Sequence, residues 1–425
     1  MGVQVDNPLV LSPRNGCLTQ SQFEASFLDG QHRDGFGRSR VSEVHTLFDT
    51  QAQYSSGPRD WSTSVTGTGA VTHLPLESSV ELSTGGAGNG AKAIRQTKLC
   101  WRYQSGKSQV VFRTFLFGAA VANVRRRDGY FDENNGIFLE QTLTDLRWVV
   151  RSGVSGAPSD AVFAAQADWN VDRLDGTGPS GLTLDITLAQ RMFIDLQWLG
   201  VGRVRVGFDI GGLAIEVHEF KFSNVLTTVY MTTANLPLRS EIENVGVAAG
   251  ASTMKDICAS VMSEGGDEEF QRGNLNSASN GTTPIAVTTR RPILSVRPAA
   301  LFNGIANRSW YILIEALFKV TTNDLYWEIV YGGALTGPVW TAAAADSNVE
   351  FDVTATAIAG GTSVVKGFAI SGVGAASGEA NARSAGRFPN SVDSLLGTQL
   401  GHSIVGTSFA GTSNVAAAVN WREVY

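Results

Sequence analysis

The sequence predicts an all-β protein, with two β-sandwich or jelly-roll-like domains preceded by an extended N-terminal arm. Three observations predict it. The first is alternation in the stretch from Asp168 to Asn224. Leu182, Leu184, Ile186 and Leu188 point one way, with Thr183, Asp185 and Thr187 opposite. Met192, Ile194, Leu196 and Trp198 share a face, and so do Val204, Val206, Phe208 and Ile210, with Arg203, Arg205 and Asp209 outward. Gly200, Gly202 and Gly211-Gly212 separate the runs. A period of two with glycine punctuation marks antiparallel strands with one wet face. The second is composition: 47 glycines and 17% charged residues among 425, where globular chains carry roughly 25% charge. Such a surface is rich in Ser, Thr, Asn and Gly and suits burial between neighbouring copies. The third is that no long helical pattern and no fixed-period repeat occurs.

Residues 1–55 read as a docking arm. Pro8, Pro13, Asn15-Gly16 and the polar run Asp29 to Ser39 oppose regular elements, while Phe23, Phe27, Phe36 and Phe48 supply apolar anchors. An extended segment with scattered aromatics lies on a partner surface rather than folding alone; a strand-poor edge of the first domain is the equal alternative. The body domain, 56–262, is read as short strands at Ala70–Leu76, Ser79–Leu82, Lys98–Tyr103, Gln109–Gly118, Gly136–Glu140, Leu146–Arg151 and Ala161–Ala165. Asn135-Gly136 suggests a two-residue hairpin turn, because both residues tolerate positive φ. After the central runs, Leu213, Ile215 and Val217 share a face but Phe220 and Phe222 take the other parity, which places a β-bulge near His218-Glu219. Val225–Met231 follows as a strand, and Met254–Met262 reads as strand over helix because its neighbourhood is all β. Many short antiparallel strands close naturally as a sandwich or jelly roll.

The polar, turn-rich stretch 263–284 reads as a linker, and 285–425 as a second β domain. Trp310 to Lys319 alternates, Asn323-Asp324 turns, and Leu325, Trp327, Ile329 and Tyr331 alternate back, which describes a hairpin apolar on both faces. Val349, Phe351, Val353 and Ala355 make another strand, Ser371 to Gly386 a Gly/Ala/Ser-rich loop, and Trp421–Tyr425 a closing strand.

Formal net charge is −6, so no overall basic field attracts nucleic acid. Arg125–Arg127 and Arg290-Arg291 are local exceptions, read as loop charge or intersubunit ion pairs. Cys17, Cys100 and Cys258 lie far apart with no metal spacing and are expected as free thiols in a reducing compartment. No basic-then-apolar leader appears, no run reaches the roughly 18–20 apolar residues that cross a bilayer, and Asp6 occupies the Ser/Thr place of a myristoylation motif. The expectation is synthesis in a cytoplasm without membrane insertion.

Chemistry-bearing motifs are sparse. The phosphate-cradling and dinucleotide glycine patterns and HExxH are absent, and the five histidines are scattered. Gly401-His402-Ser403 approaches a nucleophile elbow, but Val405 stands where the last glycine belongs. Asp185, Asp195, Asp209 and Glu216 are acids of the kind that cut glycosides in pairs, yet each sits where alternation calls for a polar residue anyway. Asp168, Asn170, Asp172 and Asp175 resemble the start of a calcium loop, although Arg173 and Pro179 replace the glycine and glutamate of an EF-hand. Trp198, Trp310 and Trp327 fall on core parity and are expected to pack rather than bind sugar. No catalytic residue, metal or cofactor is expected.

Several long motifs carry a family resemblance. They are RQT at Arg95–Thr97, GKSQ at Gly106–Gln109, GYFD at Gly129–Asp132, WNVDRLDGTGPSG at Trp169–Gly181, WLGVGRVRVGF at Trp198–Phe208 and YMTTANLPLRSEIEN at Tyr230–Asn244. FGRSRVSEVHTLFD at Phe36–Asp49 extends them. Together they resemble a family of virion structural proteins of tailed bacteriophages, over roughly half the chain. The resemblance implies a non-enzymatic virion component and gives no place within the particle. From Thr282 to Tyr425 the likeness stops.

The expected function is therefore a homo-oligomeric structural subunit of a virion, a trimer by preference. Its arm would dock on capsid, neck or tail proteins, as decoration, collar or fibre component. A host-receptor module recognising surface glycan is the alternative, and a glycan-cleaving tailspike the third reading.

Overall fold

A computed structural model describes residues 43–265, 273–372, 378–383 and 389–424. The protein is all β, in antiparallel sheets; among the described residues the only helical turns are short 3₁₀ turns at Pro75–Glu77 and Gln166–Asp168. The chain forms two compact units. The first takes the described residues up to Pro58, Val65–Arg95, and Tyr103 to 265; the second takes Arg59–Ser64, Gln96–Arg102 and the described residues from 273 on.

In the first unit, one sheet runs Leu213–Phe220, Val204–Ile210, Gln190–Leu196, Gln109–Leu116, Thr253–Glu264, Ser79–Ser83, Ala70–Leu74, with Val44–Gln51 also paired to Thr253–Glu264. The other runs Ser159–Ala165, Leu146–Ser152, Gly136–Gln141, Val124–Phe131, Leu238–Asn244, Lys92–Thr97. The predicted alternation holds where it matters. Met192, Ile194, Leu196, Val204, Val206 and Phe208 are fully buried, and Trp148 of the second sheet lies 5.9 Å from Phe208, ring to ring. The bulge falls at Val217, since Val206 pairs with His218 and Gly207 with Glu216. Thr253–Glu264 is a strand throughout.

Several expectations are corrected. Leu182–Leu188 is not a strand: Thr183 bridges Asp175, Asp185 Oδ1 accepts from the Thr187 N–H, and Leu188 is 60% exposed. Local side-chain turns win there over a pattern that only mimicked pleating. Val225–Met231 is likewise irregular. The strand placed at Lys98–Tyr103 lies at Lys92–Thr97 instead. Cys100 and Trp101 leave the body fold for the second unit, where the Trp310 indole N–H donates to the Cys100 carbonyl at 2.8 Å and meets Trp101 edge-on. The Asn135-Gly136 turn sits one pair earlier: Phe131 pairs with Gly136, and Asp132 Oδ1 accepts from the N–H groups of Asn134 and Asn135.

The arm boundary also moves. Val44–Gln51 is a sheet strand, and Phe48, counted among the docking anchors, pairs with Val261. Phe23, Phe27 and Phe36 lie outside the described residues. The linker 263–284 contains Asn274–Ser279, a strand paired with Ser413–Val424. Its polar sequence suits an edge strand as well as a loop.

In the second unit, one sheet runs Asn274–Ser279, Ser413–Val424, Trp310–Thr321, Gly378–Arg383, with Ile285–Val287 also paired to Ser413–Val424. The other runs Thr341–Ala342, Val349–Asp352, Arg291–Pro298, His402–Ser408, Leu325–Tyr331, Thr362–Ala369. The expected hairpin through Asn323-Asp324 is absent. Trp310–Thr321 and Leu325–Tyr331 belong to different sheets, and the turn carries the chain across the core. The loop expected from Ser371 to Gly386 contains the strand Gly378–Arg383.

Candidate functional site

Carboxylates and arginines are concentrated in the first unit, and their geometry decides what that unit can do. The first cluster crosses its core. Arg113, on Gln109–Leu116, donates from Nε and Nη2 to the two oxygens of Asp128, on Val124–Phe131, at 2.6 and 2.8 Å. Arg113 Nη2 also donates to Ser240 Oγ at 2.6 Å, and Asp256 Oδ1 lies 3.2 Å away. Arg95 Nε completes the set by donating to Asp256 Oδ2 at 2.8 Å. Burial opposes the charge on Arg113, but Asp128 and Asp256 outweigh it and hold the guanidinium firmly protonated. Two cations and two anions balance. Such a set ties the facing sheets together and leaves no free acid or base.

The second cluster lies on the opposite face of the sheet that carries Asp128. Glu140 accepts from Arg127 Nε and lies against Arg147 Nη2, both at 2.6 Å. Glu241 is paired with Arg239, with Lys92 at 3.2 Å and Arg127 at 3.5 Å. Asp160 accepts two hydrogen bonds from Arg151, and Glu243 one from Arg125. Beneath them Phe131, Phe138 and Val149 are fully buried, covered by the guanidinium groups of Arg127, Arg151 and Arg239 at 5.1 to 5.9 Å from the ring centres. Burial pushes Glu241 up, but Arg239, Lys92 and Arg127 together hold it far below the usual carboxylate range. A residue held ionised in this way cannot serve as a general acid. The run Arg125–Arg127, expected on a loop, is thus a strand with two buried members.

The acids singled out from sequence are mostly engaged. Asp195 accepts from Ser108 Oγ at 2.5 Å and Arg205 Nη2 at 2.6 Å and is 3% exposed. Asp209 pairs with Arg191, and Asp185 holds its own turn. Glu216 is raised by burial and lies 3.6 Å from Arg205. Two-carboxylate glycoside cleavage needs both acids at one bond.

Asp168, Asn170, Asp172 and Asp175 are not gathered around a common point. Asn170 pairs with the backbone of Glu219, Asp172 accepts from the Leu174 and Ser180 N–H groups, and Asp175 accepts from Thr177. Among the described residues no group of three or more His, Cys, Asp or Glu could hold a metal ion. The sequence spacing mimicked a calcium loop because Asp is also the residue that closes tight turns. Among the described residues Cys100 is buried and Cys258 half-buried, and the two form no disulfide with each other; Cys17 lies outside the described residues.

The second unit carries two features. His402 sits in a polar cluster: the Asn390 amide donates to the Tyr311 hydroxyl at 2.8 Å, leaving that hydroxyl to donate to His402 Nδ1 at 2.8 Å. Burial pulls His402 down to about 4. In the near-match to a nucleophile elbow, Ser403 Oγ accepts from Ser295 Oγ at 2.8 Å. The other feature was missed by sequence reasoning. Phe368 and Phe409 are 68% and 62% exposed, 5.9 Å apart, and Tyr326 lies 5.8 Å from Phe368. These rings share the outer face of one sheet edge, which required the strand register to be known. Trp310 and Trp327 are buried, as their parity implied.

No family model matches the sequence, and no curated protein does. Among solved structures, the chain is similar to a Shewanella oneidensis protein of unknown function, with TM-score 0.35 and 8% identity over 59% of this chain and 95% of that one. It is also similar to a legume lectin-like domain from Entamoeba histolytica, with TM-score 0.32 and 7% identity over 52% and 98%. A glycosyl hydrolase family protein from Mycobacterium fortuitum gives TM-score 0.35 and 10% identity over 51% and 99%. Likeness this distant carries no argument about ligand or activity. No helix among the described residues is long and apolar enough to cross a membrane.

Proposed function

We propose that the protein is a non-enzymatic, homo-oligomeric structural subunit of a tailed-phage virion, docking on capsid, neck or tail through its N-terminal segment. The observation that supports this reading is the use made of the motif residues. Arg95, Arg205, Arg239, Glu241 and Glu243 are engaged in ion pairs, and Asp132 and Asp172 close turns. The residues that carry the family likeness are therefore framework residues. Mass spectrometry of purified particles, with light scattering of the isolated protein, tests it. Presence in the particle as a fixed-copy oligomer supports the proposal. Absence from particles, or hydrolysis of host polysaccharide that disappears with Glu216→Gln, refutes it.

A second reading is favoured by one feature. The exposed rings of Tyr326, Phe368 and Phe409 form a shelf of the kind on which sugar rings stack, so the second unit would bind host surface glycan. Phe368→Ala should then abolish glycan binding without changing the fold. Unchanged binding, or none in the parent protein, removes this reading.

A further inference from the structure

Arg126 is unlike the other buried arginines of the first unit. Arg95, Arg113, Arg127, Arg151, Arg205 and Arg239 each pair with a carboxylate. Arg126 is 3% exposed and, among the described residues, meets neutral acceptors. Its Nε donates to the Thr253 carbonyl at 3.0 Å, and its Nη1 to the Ala119 carbonyl at 2.9 Å and Gln141 Oε1 at 2.8 Å. A buried charge without a counter-ion is costly, and proteins ordinarily compensate it. Burial with no opposing acid pulls the guanidinium down to about 10.

The same side chain lines a cavity of about 260 Å³. Leu116, Phe117, Val121 and Met254 give it apolar walls, and Lys255 also lines it, with its Nζ already paired to Glu77. A cavity of about 150 Å³ suffices for benzene, so a single six-membered ring fits here with its substituent. Apolar walls with a guanidinium among them match a ligand that is apolar at one end and anionic at the other.

We propose that this cavity binds a small organic carboxylate, whose anionic end supplies the counter-ion that Arg126 lacks. The inference is independent of the virion reading and stands or falls on its own measurement. Gln141 offers the control. Its Oε1 already touches Arg126, so Gln141→Glu places a carboxylate on the guanidinium from within the chain.

The experiment is thermal unfolding of the full-length protein with sodium benzoate or acetate, against chloride and sulfate at equal ionic strength. Benzoate should raise Tm by about 5 °C or more at a hundred times its Kd, and acetate should do so more weakly, while chloride does neither. A larger effect of acetate would still place the carboxylate but deny the ring a place in the cavity. Gln141→Glu should reduce the benzoate shift at least several-fold, whatever its own Tm after losing the Nε2 hydrogen bond to the Gly118 carbonyl; Arg126→Met, if it folds, should lose the shift. No shift in the parent protein overturns the proposal. So does a full shift retained in Gln141→Glu, or a shift with sulfate and not with either carboxylate.

Discussion

Phe318 and Trp327, nine residues apart in sequence, stack across the core of the second unit from two different sheets, with ring centres 4.7 Å apart and planes 24° from parallel. The turn between them, with Thr322 at φ 88°, therefore joins layers rather than neighbouring strands. Gly367 lies against the Trp327 ring, where an added Cβ would come within 2.3 Å of it.

Removing either ring should open a cavity at the point where the two layers meet. Trp327→Ala or Phe318→Ala is expected to cost about 3–5 kcal/mol, read as a lower denaturant midpoint. Gly367→Ala should destabilise by overpacking, by about 1–3 kcal/mol. An unchanged midpoint in Trp327→Ala would show that the ring contributes little to the second unit.

The Arg113–Asp128 pair should behave as a buried ion pair does when halved. Asp128→Asn leaves Arg113 facing Asp256 and Ser240 and is expected to cost about 3–5 kcal/mol. Joint replacement of Arg113 and Asp128 by apolar residues of similar volume should cost less than either single change, which a double-mutant cycle reads directly.

Acid should weaken the second unit through His402. Its folded pKa of about 4 lies below the ordinary 6.5, so the unfolded chain binds more protons between those values. Stability contributed by neutral His402 is complete above pH 6.5 and falls as pH drops towards 4, by up to about 3 kcal/mol. His402→Gln should flatten that limb of the stability curve; an unaltered limb would remove His402 from the account.

Truncation should separate the arm from the sheet. Deleting residues 1–42 is expected to leave the first unit's sheets intact, whereas deleting 1–55 removes Val44–Gln51 and uncovers the Cys258 to Glu264 edge. Hydrogen exchange at Ala259 to Met262 should rise in the longer deletion only. Equal protection in both would show that the strand is dispensable.

The calcium reading can be closed by one variant. Asp172 holds two backbone N–H groups, so Asp172→Ala should destabilise by about 1–3 kcal/mol. Added calcium should leave Tm unchanged in both the parent protein and the variant. A calcium-dependent rise in the parent that the variant loses would restore an ion to the loop.

The sequence by itself determined the fold class and the faces of the central strands. Strand alternation is a local property, and Met192, Ile194, Val204 and Val206 had no second way to be buried. The same local rule misled at Leu182–Leu188, where Asp185 and Thr187 offer the backbone a turn instead. Tertiary structure alone decided which strands face one another and which charges meet. Arg113 and Asp128 are separated by 15 residues and two sheets, and Arg95 and Asp256 by 161 residues. Nothing in the run Arg125–Arg127 distinguishes the middle arginine from its neighbours. Period two sends it into the sandwich, where neutral acceptors meet it, while its neighbours point to the face that carries Glu140, Glu241 and Glu243. Ion-pair partners are chosen by proximity after folding, and proximity between distant segments is not written in any window of sequence.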